Sequence, residues 1–349
     1  MMTVRRPLAK RALASRKAIA LLPLAVGPAM SATGFLFGDS PVPIARLIAD
    51  AAQLETRLSN PPAWLIELGA AFEPVEIDEG VHEFEWSGEY DPSLLSRVLS
   101  EALGAEAALI SDHGFDLPDL FISDMDSTMI GQECIDELAD YAGIKPQIAA
   151  ITERAMQGEL DFEEALRERV KLLAGLDEGA IQLCLNERIF PMPGARELVQ
   201  TLKEHDCQTV LVTGGFHHFA DPVARLLGFE HVVGNRLDVA GGKLSGGLVG
   251  PIVDSSVKRA TLKSELARLG EGAVSLATGD GANDIPMLEA AHYGFAYKAK
   301  PKAKQAANAW IDSGDLTSVL RLLGIPEEDW VAVSYPLERA CAAATSTML

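Results

Sequence analysis

The chain has 349 residues, of which 48% are hydrophobic, so it is long enough for two domains and can bury a substantial core. It carries 50 acidic residues against 30 lysines and arginines, a formal net charge of −20. A chain this acidic is a poor partner for nucleic acid or an anionic membrane, and we predict neither. An anionic substrate would require a local concentration of positive charge.

Residues 1–34 form a basic and apolar extension. Lysine and arginine occur before residue 30 with no acidic residue, and the apolar run from Ile19 is short and interrupted by proline. This pattern is typical of a targeting peptide or a disordered extension, and both readings stay open. Four cysteines without a CxxC pair favour reduced thiols in a cytoplasmic protein; they are Cys134, Cys184, Cys207 and Cys341.

Residues 35–112 are predicted to form a small α+β domain, and a regulatory role for it is left open. A helical pattern covers IARLIADAAQLETRL at 44–58. The alternating stretch HEFEWSGEY at 82–90 predicts a strand, and LLSRVLSEAL at 94–103 predicts another helix.

From residue 117 onward, short apolar runs end in polar residues. LFIS precedes Asp124, TVLV precedes Thr213 and VSLAT precedes Gly279. Such runs, separated by helical patterns, predict an α/β fold with a Rossmann-like parallel sheet and helices on both faces. Because the carboxyl ends of parallel strands lie at one edge of a sheet, we expect these polar residues to share a site.

The predicted core comprises residues 117–130 and 209–325. Residues 131–208 show four helical patterns and no strand, which predicts a helical cap inserted after the first core strand. Residues 326–349 are predicted to be a C-terminal tail. The GGKLS stretch at 241–245 lacks the residues of a phosphate-binding P-loop and is predicted to be a turn between strands.

Four motifs occur in a fixed order: DMDST at 124–128, TGG at 213–215, Lys258, and GDGAND at 279–284. Their order and placement at strand ends resemble the haloacid dehalogenase superfamily of phosphatases. GQE at 131–133 and LRERV at 166–170 narrow the resemblance to the phosphoserine phosphatase family, over residues 117–324. The resemblance implies Mg²⁺-dependent hydrolysis of the small molecule L-phosphoserine to L-serine and phosphate, the last step of serine biosynthesis.

Two acids one residue apart at a strand end repel each other, so Asp124 and Asp126 indicate a working site. We expect Asp124 to attack phosphorus and form an aspartyl-phosphate, and Asp126 to protonate the leaving oxygen and later deprotonate water. Asp280 would complete an oxygen-rich Mg²⁺ site with Asp124, and the resemblance adds the backbone carbonyl of Asp126. Lys258 would neutralise the phosphate.

The remaining expected site residues bind the substrate or orient other groups of the site. The hydroxyl of Thr213 and the backbone amides of Gly214 and Gly215 would hold phosphate oxygens. Asp284 and Asn283 would orient metal-bound water or Lys258, and Asn283 is also expected to bind the substrate. The resemblance further assigns the substrate ammonium to Glu133, the substrate carboxylate to Arg169, and the apolar lining of the pocket to Met156 and Phe162.

Two other functions stay open at this point. A phosphotransferase could pass the phosphoryl group to another alcohol, such as homoserine, through the same aspartyl-phosphate. A non-catalytic protein could sense phosphoserine or serine, although it would not need the nucleophile. The P-type ATPases share the chemistry, but this sequence has no stretch that predicts a membrane span. A homodimer is also left open.

Overall fold

The computed structural model describes residues 43–68, 73–86, 91–112 and 114–332. The predicted extension at 1–34 and the predicted tail beyond residue 332 lie outside these ranges. The chain divides into two compact units, with residues 106–109 and 115 onward in the larger one. Within the described ranges, no helix combines the length and the apolar character needed to cross a membrane.

The N-terminal unit combines a small antiparallel sheet with helices. Its elements are β1 (Ile44–Ile48), α1 (Ala51–Ser59), α2 (Ala63–Leu68), β2 (Val75–Asp78), β3 (Val81–Glu85) and α3 (Pro92–Arg97), which continues into a π-helical turn at Val98–Ala102. Strand β3 lies between β1 and β2 and is antiparallel to both.

The predicted helix over 44–58 is wrong in its first half, because Ile44–Ile48 is strand β1. This segment pairs with β3, with Ile44 opposite Glu85 and Ile48 opposite Val81. The helix begins only at Ala51, after Asp50, whose carboxylate accepts a hydrogen bond from the amide of Gln53. A run as short as IARLI fits a strand or a helix equally well, so its pairing partner decides. The predicted strand at 82–90 is confirmed by β3 over its first half, and residues 87–90 lie outside the described part of the chain. The second predicted helix is present as α3 and the π-helical turn that continues it.

The larger unit is built on a mainly parallel sheet. The strands of this sheet are β4 (Ala107–Ser111), of which residues 107–109 belong to this unit, β5 (Leu120–Ser123), β6 (Gln208–Phe216), β7 (His231–Asn235), β10 (Ser275–Gly279), β11 (Tyr293–Tyr297) and β12 (Ala309–Ile311). Strands β8 (Leu237–Ala240) and β9 (Lys243–Leu248) pair with each other in a second sheet. The order across the sheet is β4-β12-β11-β10-β5-β6-β7, and only β4 runs antiparallel to its neighbour β12. The predicted parallel sheet is confirmed.

Helices pack around this sheet and above one edge of it. They are α4 (Cys134–Tyr141), α5 (Lys145–Met156), α6 (Phe162–Leu172), α7 (Gly179–Arg188), α8 (Ala195–Glu204), α9 (His217–Leu227), α10 (Ser255–Leu269), α11 (Ile285–Leu288), α12 (Pro301–Ala306) and α13 (Thr317–Leu323). Helices α4 to α7 match the four predicted helical patterns of the cap. Helix α8, which the predicted boundary at residue 208 assigns to the cap, packs against β6, α9 and α13.

Strands β8 and β9 form a separate hairpin beside the cap. Its turn is Gly241-Gly242, both with positive φ, so GGKLS forms the predicted turn between strands. The hairpin packs against α6, and the amide of Gly175 donates to the carbonyl of Leu244 over 2.8 Å. The sequence did not predict this contact between the hairpin and the cap.

Candidate active site

The site begins where β5 ends. Asp124 follows Ser123, the last residue of β5, and its amide donates to the carbonyl of Thr278 on the neighbouring strand β10 over 3.0 Å. The side chain of Asp124 is buried, and its Oδ1 accepts from the amide of Met125 over 2.7 Å. The pairing of two central strands therefore fixes both the position and the direction of this carboxylate.

Lys258 lies between two carboxylates. It belongs to the first turn of α10, a helix that starts after Asp254, whose carboxylate accepts from the amides of Ser256 and Val257. Its side chain is 1% exposed, and its Nζ is 2.7 Å from Oδ1 of Asp124 and 2.7 Å from Oδ1 of Asp284.

Burial and charge act in opposite directions on this lysine. Burial tends to lower the pKa of Lys258, but the charges of Asp124 and Asp284 outweigh it, so the pKa lies above its ordinary value. The two carboxylates therefore favour the charged ammonium form of Lys258. This ammonium supplies the local positive charge that an anionic ligand would require in this acidic chain.

Asp280 and Asp284 lie at the end of β10. The Oδ2 of Asp284 accepts from the amides of Asp280 over 3.2 Å and Gly281 over 3.0 Å. Because its Oδ1 is bonded to Lys258, both oxygens of Asp284 are already engaged. A Cβ on Gly279 would lie 2.5 Å from the Cβ of Asp284, which explains why glycine precedes Asp280.

The acidic groups form a set that could hold a metal ion. Carboxylate oxygens of Asp124, Asp280 and Asp284 lie within 4.8 Å of one another. Burial, followed by the charge of Asp284, raises the pKa of Asp280 to about 6 and raises that of Asp124 well above its ordinary value. A hard cation with oxygen ligands would offset this concentration of negative charge.

Asp126 faces the TGG loop and the start of the cap. Its Oδ1 accepts from the amide of Cys134 over 3.4 Å, and its Oδ2 is 3.1 Å from where a Cβ on Gly215 would lie. Burial and the negative charge of Glu133 raise the pKa of Asp126 to about 7. This carboxyl can therefore both give and take a proton near neutral pH.

Hydrogen bonds within the TGG loop and from Asn235 hold this loop in place. The hydroxyl of Thr213 accepts from the amide of Gly215 over 2.9 Å, and the carbonyl of Gly214 accepts from Nδ2 of Asn235 over 2.8 Å. Asn235 is buried at the end of β7 and also accepts from the amide of Val253. Sequence reasoning missed Asn235, although it ends an apolar run (HVVGN) as the other site residues do.

Two predicted residues of the cap, Phe162 and Arg169, belong to helix α6. Phe162 opens α6 and is 40% exposed, with its Cζ 3.3 Å from where a Cβ on Gly214 would lie. Burial lowers the pKa of Arg169, against the opposing negative charges of Asp136 and Glu133. Arg169 thus lies within the electrostatic range of Glu133.

Two other predicted residues are Asn283 and Met156. Asn283 lies beside Asp284, with 3.5 Å between its Nδ2 and Oδ1 of that carboxylate. Met156 is the last residue of α5, and its side chain lies outside the described part of the chain. Ser127, which the sequence did not single out, donates from its hydroxyl to Oε1 of Glu133 over 2.9 Å.

Comparison with known proteins agrees with the motifs. The model of a family described as haloacid dehalogenase-like hydrolase matches residues 121–289. The phosphoserine phosphatase of Albidiferax ferrireducens is 44% identical over 209 residues, which cover 58% of this chain and 88% of the relative. That of Haemophilus influenzae is 43% identical over 205 residues, covering 58% of this chain and 65% of the relative. The chain therefore spans less than two thirds of the Haemophilus influenzae relative.

A solved structure is also similar to this chain. It is described as the phospho-aspartyl intermediate analogue of phosphoserine phosphatase and is 36% identical, with a TM-score of 0.54. The match covers 59% of this chain and 99% of that structure. These similarities confirm the resemblance inferred from the four motifs.

Proposed function

Because this chain belongs to the haloacid dehalogenase-like hydrolase family, we propose that it hydrolyses L-phosphoserine to L-serine and phosphate with the help of Mg²⁺. One observation carries the proposal: a buried carboxylate, Asp124, is held by Lys258, and a second carboxyl that is protonatable near neutral pH, Asp126, follows two residues later. The names of the relatives support L-phosphoserine as the substrate.

The two aspartates divide the chemistry. Asp124 attacks phosphorus while Asp126 protonates the serine oxygen, so the phosphorus–oxygen bond to serine breaks and an aspartyl-phosphate forms. Asp126, now ionised, takes a proton from water as that water attacks the same phosphorus. Phosphate leaves, and both carboxyls return to their starting states. The solved phospho-aspartyl analogue supports a covalent intermediate of this kind.

The donor set fits Mg²⁺. Within the described residues, both hydrogen bonds to Asp124 reach Oδ1, so its Oδ2 remains for the substrate or a cation. We assign the metal to Asp124, Asp280 and the carbonyl of Asp126, and we place Asp284 behind them because its oxygens are engaged. When bound, Mg²⁺ would keep Asp124 ionised and neutralise phosphate charge.

The TGG loop and Lys258 would bind the phosphate group. The amides and hydroxyl at 213–215 lie at the end of β6, next to β5, and Lys258 supplies charge from α10. We place Asn283 beside the substrate, next to Asp284.

The cap side of the site would select the amino acid. In this proposal Glu133 binds the substrate ammonium and Arg169 its carboxylate, a pairing that suits the planar guanidinium. Phe162 and Met156 line the remaining space. The proposed partner is the small molecule itself, and a homodimer and a cytoplasmic location stay predictions from the sequence.

The test is phosphate release from L-phosphoserine with Mg²⁺ for the wild type and Asp124→Asn. We expect the substitution to lower the rate at least about a thousandfold, because no carboxylate remains to attack phosphorus. Asp206→Asn is the matched control, since Asp206 is exposed and its φ of 61° suits asparagine. Removal of Mg²⁺ by EDTA should stop the wild type and should be reversed by added Mg²⁺.

Release retained by Asp124→Asn, with mass spectrometry excluding reversion of the amide to the acid, would contradict the nucleophile. A wild type that releases little phosphate but phosphorylates an added alcohol would be a phosphotransferase instead. Turnover of other phosphate monoesters without turnover of L-phosphoserine would agree with the aspartyl-phosphate mechanism. It would contradict the proposed roles of Glu133 and Arg169 in substrate binding.

A further inference from the structure

Ser127 has an unusual backbone for a residue with a side chain. Its φ is 56°, in the left-handed region, and in the described part of the chain only Asp206 and Lys298 share a positive φ without being glycine. Glycine is the usual residue at such positions because it has no Cβ to clash with the backbone. Ser127 directly follows Asp126, and its amide donates to the carbonyl of Gln132 over 3.3 Å.

The hydroxyl of Ser127 forms a hydrogen bond with the side chain of Glu133. The Oγ of Ser127 donates to Oε1 of Glu133 over 2.9 Å. Glu133 immediately precedes α4, and its side chain makes no capping hydrogen bond to that helix. Its carboxylate is therefore oriented by Ser127 and not by the helix that follows. A strained backbone next to a proposed catalytic acid indicates that this side chain is needed there.

We propose that Ser127 is a positioning residue for substrate selection: its hydroxyl holds one oxygen of Glu133 so that the other oxygen faces the substrate ammonium. The inference rests on the proposed function, in which Glu133 binds that ammonium. The substrates that this arrangement favours are phosphate esters that carry an amino group. Ser127 itself touches neither phosphate nor metal in this account, so its loss should raise KM selectively for substrates that have the amine. Any effect on Asp126 through the charge of Glu133 would be shared by all phosphate esters.

The decisive variant is Ser127→Gly. Glycine accepts the left-handed backbone, so this variant should fold at least as well as the wild type while lacking the hydroxyl. We expect KM for L-phosphoserine to rise about tenfold with little change in kcat, since a hydrogen bond to a charged group is lost. For 3-phosphonooxypropanoate, which lacks only the amine, KM should change less than about twofold by the same reasoning.

Two further variants distinguish a loss of the orientation of Glu133 from a general loss of protein stability. Ser127→Ala should show the same rise in KM but a lower Tm than Ser127→Gly, because alanine keeps the strained backbone. In a Glu133→Gln background, Ser127→Gly should produce no additional rise in KM for L-phosphoserine, because the two substitutions remove one interaction.

An equal rise in KM for both esters, or no rise for either, would overturn the inference. Crystal structures of the wild type and Ser127→Gly test it without any activity: Glu133 should be in one conformer in the wild type and displaced or multiple in the variant. An unchanged Glu133 would refute the positioning role. A wild type that does not turn over L-phosphoserine would refute the proposed function, and the crystal comparison would still decide the role of Ser127.

Discussion

Replacing Lys258 by methionine should strongly destabilise the larger unit. The ammonium is 1% exposed and lies 2.7 Å from each of two carboxylates, Asp124 and Asp284. Methionine retains the approximate length and packing of the lysine stem but removes the charge. The two carboxylates would then be buried together with no positive partner among the described side chains that contact them.

The structure sets the size of the effect. Oxygens of Asp124 and Asp284 lie within 4.8 Å of each other. Two unit charges at that distance repel by about 3.5 kcal/mol at an effective dielectric constant of about 20. Breaking a buried ion pair by removing one partner typically destabilises a protein by about 3–5 kcal/mol, in agreement with that value. A loss of this size would lower Tm by roughly 10 °C.

The loss should depend on pH, with a definite sign. The folded pKa of Asp124 is raised, by burial and then by the charge of Asp284, well above its ordinary value of 3.8. The folded state therefore binds a proton more readily than the unfolded state, and stability falls as pH rises from 3.8 through the folded pKa. Removing Lys258 raises that folded pKa further. The destabilisation should therefore be larger at about pH 8 than at about pH 5.5, where protonation relieves the repulsion.

The assay is thermal unfolding in EDTA at both pH values, followed by circular dichroism. Lys263→Met is the matched control, because Lys263 is an exposed lysine of the same helix, α10, and should change Tm little. A Lys258→Met variant as stable as this control, or one destabilised equally at both pH values, would refute the electrostatic reasoning. Such a result would mean that Lys258 contributes mainly through packing.

Two further predictions concern the metal site and the cap. Gly279→Ala places a Cβ 2.5 Å from that of Asp284, so we expect a loss of about 1–3 kcal/mol and weaker Mg²⁺ binding by calorimetry. Gly114→Ala, whose Cβ would meet nothing within 4 Å, should change neither stability nor Mg²⁺ binding. Equal effects of the two substitutions would count against the contact with Asp284. Arg169→Lys should raise KM for L-phosphoserine about tenfold through loss of the bidentate fork, whereas the same change at exposed Arg167 should not. Equal KM values for the two variants would remove Arg169 from the substrate site.

The positions of the site residues followed from local sequence pattern. Short apolar runs ending in Asp124, Thr213 and Gly279 predicted parallel strands, and the strands confirm that prediction. Parallel strands place their carboxyl ends at one edge, so their order along the chain was enough to expect one site. The same method failed at Ile44–Ile48, because the short run IARLI does not distinguish a strand from a helix without a known pairing partner.

The sequence by itself determined which side chains could do chemistry and at which strand ends they would lie. Only the tertiary structure decided how those groups act on one another. The packing of α10 brings Lys258 between two carboxylates from different strand ends, and burial together with Glu133 raises the pKa of Asp126 to about 7. The orientation of Glu133 by Ser127 likewise depends on one backbone angle. Local pattern specifies strands and helices, but charge, burial and angular fit arise only when distant elements pack together.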